Sequence, residues 1–173
     1  MHLTSAVMDD LSCTPPAATI GTSWQLVSDR VMGGISHGTM VREVIAGRPA
    51  IRMLGEVSLE NNGGFVQIAL DLTPDRRAID ASAWRGIELD IFGNGEKYSV
   101  HLRTDYLARA WQSYRHSFDA PARWQTVQLV CADFAPYRTE TALDTHCVRR
   151  IGIVAIGRVF SAAVAIGGLR FLA

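Results

Sequence analysis

The chain of 173 residues is 48% hydrophobic and 20% charged, a composition for one globular domain that buries on the order of 70% of its unfolded surface. Its 17 basic and 17 acidic side chains cancel, which removes the electrostatic case for a nucleic-acid or anionic-membrane partner. Cys13, Cys131 and Cys147 are too widely spaced for a disulfide framework or a metal motif, and no apolar run reaches ~18 residues, so no metal, no cofactor and no transmembrane segment is expected.

Residues 1–13 lack the basic start and sustained apolar core of a secretory signal, so a reducing, cytoplasmic setting is the default expectation. The cations are almost all arginine, with Lys97 the sole lysine, which fits genome composition better than phosphate recognition. Residues 1–22 read as a lead-in, where Pro15 and Pro16 oppose regular structure and residues 8–11 are able to dock locally. Residues 23–173 read as a single domain. Within it, 24–27 is a short strand and Gly33-Gly34 marks a backbone turn. Strand patterns follow at 38–44, 50–56 and 65–72; in the last, Val66, Ile68, Leu70 and Leu72 form a core face with Gln67 and Asp71 opposite. Asn61, Asn62, Gly63 and Gly64 before it are a turn by composition. Residues 74–82 hold at most one helical turn.

The stretch 84–118 is the most patterned. Ile87, Leu89 and Ile91 alternate with Glu88 and Asp90, and after Asn94-Gly95 the apolar Tyr98, Val100 and Leu102 alternate with Ser99, His101 and Arg103. Asn-Gly between two alternating runs predicts a hairpin, with Glu88 opposite His101, Asp90 opposite Ser99 and Gly86 opposite Arg103. A loop then leads into 111–118, whose parity is open. With Tyr114, Phe118 and Gln112 turned inward, Arg115 extends the polar face. The opposite parity exposes Gln112 and Tyr114 but buries Arg115, which costs several kcal/mol unless the guanidinium is paired. The first is favoured, and a bulge satisfies both. Strands are also predicted at 124–131, 150–156 and 163–171, with a short helix over 141–149 capped by Thr141 or Asp144. About ten short strands and no long amphipathic helix predict an all-β sandwich of two antiparallel sheets.

Three blocks carry a family resemblance: WQLVSDRVMGGIS at 24–36, GEVSLENNGGFVQI at 55–68, and the 84–118 stretch joined to residues 133–138 and 149–152. Together they resemble the complex I intermediate-associated protein 30 family over nearly everything after residue 20. The resemblance implies a galactose-binding-like, jelly-roll sandwich, a fold shared with carbohydrate-binding modules. It also implies kinship with eukaryotic assembly factors of respiratory NADH:ubiquinone oxidoreductase, although this chain is close to the bare domain.

The candidate binding residues are Asp29 and Arg30 beside the double glycine, then Glu88, Asp90, His101, Arg103, Trp111, Gln112, Tyr114 and Arg115 on the central face. Cross-strand charge pairing, at about 0.2–1 kcal/mol per pair, accounts for the charged set structurally. Planar hydrogen-bonding groups beside an aromatic platform account for it as a sugar site. Catalytic signals fail: Gly93 and Gly95 lack a third glycine, and no nucleophile elbow or phosphate-binding loop occurs. Glu88 and Asp90 sit near the ~7 Å of paired hydrolase carboxylates by strand rise, which keeps a glycoside hydrolase as a remote third option. Asp144, His146 and Cys147 form a weak ligand cluster, better read as a helix end, and His2, His37 and His116 join no ligand pattern. The leading expectation is therefore a non-catalytic domain acting through a protein partner such as complex I subunits or assembly intermediates. The alternative is a module for a small carbohydrate-like ligand.

Overall fold

The computed structural model describes residues 5–173; residues 1–4, His2 among them, lie outside the described residues. Twelve strands form two antiparallel sheets, with only single turns of 3-10 helix between them. The first sheet contains β1 (Val7–Asp9), β3 (His37–Ile45), β4 (Arg48–Val57), β6 (Gly86–Phe92), β9 (Gln125–Val130) and β12 (Phe160–Leu172). Its order is β3-β4-β12-β6-β9, with β1 added along β12. The second contains β2 (Gln25–Ser28), β5 (Phe65–Asp71), β7 (Glu96–Thr104), β8 (Ser113–Ala120), β10 (Ala135–Tyr137) and β11 (Val148–Ile156), in the order β10-β8-β7-β11-β5-β2. This is the predicted jelly-roll sandwich.

Period-two alternation builds the core. Ile51, Met53, Ile87, Leu89, Ile91, Val164 and Ile166 face inward from the first sheet. Val66, Ile68, Leu70, Tyr98, Val100, Leu102, Ile151 and Ile153 meet them from the second. Tyr114 and Phe118 also turn inward, as the favoured parity has them, but Gln112 does not: it precedes β8, outside the strand's alternation, and stays half-buried in the groove lining. The lead-in docks where residues 8–11 suggested: β1 pairs with β12, Met8 and Leu11 are buried, and the Trp24 indole donates to Asp9 Oδ2 at 2.8 Å.

The predicted hairpin does not form. β6 pairs with β9 and β12, β7 pairs with β8 and β11, and the two strands lie in different sheets. Glu88 is opposite Gln128 and Arg170, Gly86 opposite Val130 and Leu172, Asp90 opposite Thr126 and Gly168. Inward alternation is equally compatible with two strands side by side and with two strands facing each other across the core. The turn chemistry decides for the second arrangement. The Gly93 and Gly95 N–H groups donate to Pro121 and Ala120 carbonyls, both at 2.8 Å, rather than closing the loop on itself. Asn94 donates to the Ser161 carbonyl at 3.0 Å and accepts from Tyr98 Oη at 2.7 Å, tying the crossing to both sheets. A Cβ at Gly93 would sit 2.2 Å from Ala120 O, so the close approach needs glycine.

Two local expectations shrink. The 141–149 helix is only a turn over Thr145–Cys147, capped by Asp144 accepting from His146 N–H. The 74–82 connection carries no helix; its Ile79 bridges to Val148.

Candidate functional site

Placing β6 and β7 in opposite sheets splits the predicted polar face in two. Glu88 and Asp90 lie on the outer surface of the first sheet. Arg170 from the neighbouring strand donates to Glu88 at 2.5 Å and to Asp90 at 2.9 Å. Arg48 donates to Asp90 at 2.6 Å, Thr126 to Asp90 at 2.6 Å and Gln128 to Glu88 at 2.6 Å. Burial pushes the Asp90 carboxyl up, but the Arg170, Thr126 and Arg48 hydrogen bonds outweigh it and hold Asp90 far below the usual carboxylate range. Glu88 is held down chiefly by Gln128, with Arg170 adding to it. A glycosidase acid needs a carboxyl held up, not down. These two carboxylates are instead saturated members of a charge network.

His101, Arg103 and Arg115 lie on the outer face of the second sheet. The register sets Gln25, Ala69, Gly152, His101, Arg115 and Ala135 in one row across all six strands. A second row brings Asp71, Arg150 and Arg103 together. Gly152, with the Gln67 side chain beside it, forms the floor in the middle. Around it rise Val31 and Met32, the 62–65 turn, Trp111 and Gln112, and Tyr137 and Arg138, enclosing a groove of about 910 Å³.

Each groove side chain has a local reason for its position. Arg103 donates to the carbonyls of Arg109, Ala110 and Gln112 at 2.9, 3.0 and 2.8 Å, and so folds the loop that presents Trp111. Trp111 is 50% exposed. Arg115 lies 3.4 Å from the Tyr137 ring centroid and donates to Ser113 Oγ at 2.9 Å. Gln112 is half-buried, bonded to Arg109 N–H and to the Arg138 carbonyl. Burial, with the Arg115 charge adding, pushes the His101 imidazole down to about 3, so it is neutral at pH 7. Its Nε2 is buried without a hydrogen-bond partner among the described residues.

Three predicted residues lie elsewhere. Tyr114 is fully buried, its hydroxyl donating to main-chain carbonyls of Thr141 and Ala142, because the inward parity of β8 takes it away from the groove. Asp29 is also buried: its carboxylate accepts from Ser36 N–H at 3.0 Å, Gly64 N–H at 2.6 Å, Phe65 N–H at 3.3 Å and the Ser36 hydroxyl. Burial raises this carboxyl, and those donors together bring it below its ordinary value. Arg30 turns to the Ser36 carbonyl and the His37 ring, outside the groove lining. Sequence reasoning missed Arg149, Arg150, Arg138, Tyr137 and Gln67, all in the groove wall or floor. Gln67 stood on the polar side of a strand already recognised, and the other four lay in the quoted family blocks. A register shift in β11 between Val148 and Arg150 explains how two successive arginines reach one face. Among the described residues, no group of three or more His, Cys, Asp or Glu side chains is arranged to hold a metal.

The model of the complex I intermediate-associated protein 30 family matches residues 17–163. The chain belongs to this family. The Asp29 carboxylate joins two of the blocks that carry the resemblance, 24–36 and 55–68. No curated protein matches the chain in sequence. In three dimensions the family member is similar to the family 11 carbohydrate-binding module of a cellulosomal cellulase of Clostridium thermocellum. That match has 12% identity and a TM-score of 0.75, over 99% of this chain and 96% of that one. A structure of the family 11 module with a β-1,3-1,4-mixed-linked tetrasaccharide matches at 13% identity and a TM-score of 0.73, covering 97% and 95%. A family 30 carbohydrate-binding module of another cellulase of that organism matches at 16% identity and a TM-score of 0.58, covering 98% and 93%. At these identities the likeness establishes the fold. No helix among the described residues is long and apolar enough to cross a membrane.

Proposed function

We propose that the chain is a non-catalytic binding module whose second-sheet groove holds an oligosaccharide. The observation that carries this is the groove itself: its volume of about 910 Å³ suits a short chain of sugar rings, and planar and polar side chains are among those that line it. Trp111 offers an exposed ring, while Arg115, Gln112 and Gln67 offer planar hydrogen-bonding groups. The likeness to modules that are named as carbohydrate-binding supports the same reading. The binding unit is residues 23–173, with 1–22 as an accessory lead-in. Titrating soluble oligosaccharides into the chain tests it: a Trp111→Ala change should weaken binding about tenfold, the scale of one lost aromatic contact. Unchanged affinity in that variant places the sugar elsewhere.

A second reading rests on a specific feature. Val31 and Met32 on the groove rim are 74% and 54% exposed, beside a half-exposed Leu59, and they belong to the family motifs. An apolar rim of this kind suits a protein partner, and family membership points to complex I subunits or assembly intermediates. A Val31→Ser, Met32→Ser double variant that loses co-purification with such subunits supports it; normal complex I in a strain lacking the chain refutes it.

A further inference from the structure

The charge of the groove is one-sided. Five arginines line it, Arg103, Arg115, Arg138, Arg149 and Arg150, together with His101, and no Asp or Glu is among its lining residues. The whole chain is balanced at 17 against 17, so this is segregation and not a general excess. The opposite surface of the sandwich shows the contrast, where Glu88 and Asp90 are matched by Arg170 and Arg48. Among the described residues, only Arg150 of the groove has a carboxylate partner, Asp71 at 3.7 Å, which is shared with Arg76. Arg103, Arg115, Arg138 and Arg149 make no ion pair among the described residues.

Crowding cations this way costs the free protein stability. Burial, and then Arg149 and Arg150, push the Arg103 guanidinium down, and Arg115 is likewise lowered by burial with Arg138 adding to it. Arg149 Nε and His101 Nε2 are both buried without a hydrogen-bond partner among the described residues. Arg103 holds loop carbonyls and Arg115 stacks on the Tyr137 ring, but neither contact supplies an anionic counter-charge. Arginine also presents flat, paired donors that fit a carboxylate in bidentate fashion.

We propose that the groove is selective for an acidic oligosaccharide, one whose rings carry carboxylates, over a neutral glucan. This rests on the glycan-binding reading above and adds the sign of the ligand's charge. Arg115 on β8, Arg138 on the groove wall and Arg149 and Arg150 on β11 lie at different places in the groove, so more than one ring carboxylate finds a partner. Trp111 supplies the apolar contact that a sugar ring needs and a free inorganic anion does not use.

Isothermal titration of the whole chain with hexagalacturonate, a neutral mixed-linkage glucan hexasaccharide and a single-stranded hexanucleotide tests this. The hexagalacturonate should bind at least ~10-fold tighter than the neutral sugar, and its affinity should fall by about an order of magnitude as salt is raised from ~50 to ~500 mM. Arg115→Gln should weaken the uronate several-fold and the neutral sugar by a clearly smaller factor. Exposed Arg138→Gln repeats the test at a position outside the core. Equal or tighter binding of the neutral sugar overturns the charge inference and leaves the glycan reading standing. Binding of neither sugar overturns both. A hexanucleotide that binds as tightly as the uronate also overturns the proposal, by making charge alone the determinant.

Discussion

Replacing Asp29 is the sharpest test of how this fold is held. Its carboxylate is completely buried and accepts three backbone N–H groups and one hydroxyl, drawn from the two loops at 29–36 and 63–65. No cation pairs with it among the described residues; the charge is balanced by oriented N–H dipoles. Alanine here orphans those donors, at about 1–3 kcal/mol for each that water does not reach. Allowing for partial rehydration, Asp29→Ala should cost about 4 kcal/mol, a large share of the ~5–15 kcal/mol that holds a domain together. With a urea slope of ~2 kcal/mol/M, the unfolding midpoint should move down by ~2 M. Asp29→Asn keeps the shape but turns an NH₂ toward one donor, and should cost about half as much. The pH dependence carries the same signature. The Asp29 pKa is lowered on folding, so its stabilisation is full above the ordinary carboxylate range and lost as pH falls through the folded value. Asn at this position should flatten stability below pH ~4 relative to the native chain. An alanine variant whose midpoint moves by under ~0.5 M would refute the carboxylate's role as the clip between the loops.

Gly63→Ala places a Cβ 2.4 Å from Asp29 Oδ2, so it should cost about 1–3 kcal/mol in urea unfolding, and that penalty should shrink in an Asp29→Ala background. Tyr114→Phe removes the hydroxyl bonds to Thr141 and Ala142 and should lower stability by about 1 kcal/mol while leaving oligosaccharide affinity unchanged; a lost affinity would contradict its interior placement. His101, held down to about 3, should show no imidazole titration by NMR between pH 8 and 5 in the free chain. Because the unfolded chain takes up this proton near pH 6.5 and the folded chain only near 3, its contribution to stability is full above 6.5 and is lost as pH falls toward 3. His101→Gln should remove that part of the slope.

The sandwich was legible because alternation reports which side chains face the core. Val66, Ile68, Leu70, Ile87, Leu89, Ile91, Tyr98, Val100 and Leu102 were all assigned to the interior from the period alone, and all are buried. Alternation does not report which strand is the neighbour. That single gap produced the main error, since Asn94-Gly95 reads the same whether the chain turns back in one sheet or crosses to the other. The candidate site inherited the error. Glu88 and Asp90 were joined to His101 and Arg103, when their partners, Arg170 and Arg48, come from distant stretches of the chain. Arg149 reached the groove through a β-bulge, for which the sequence carries no signal beyond two adjacent arginines.

The family motifs also acquire a physical meaning that composition withheld. Asp29 looked like a charge available to a ligand, yet its carboxylate is spent inside the fold. Gly34 and Gly63 each leave no room for a Cβ beside it, at 2.4 Å. What the clip positions is the surface on either side. Val31 and Met32 come two and three residues after Asp29, and the 62–65 turn carries two of its backbone donors; all of these line one wall of the groove. Loosening the clip should therefore weaken binding without touching a contact residue, through a wall that no longer holds its place. The 24–36 segment thus shapes the groove at one remove: its carboxylate faces inward while its apolar neighbours face out.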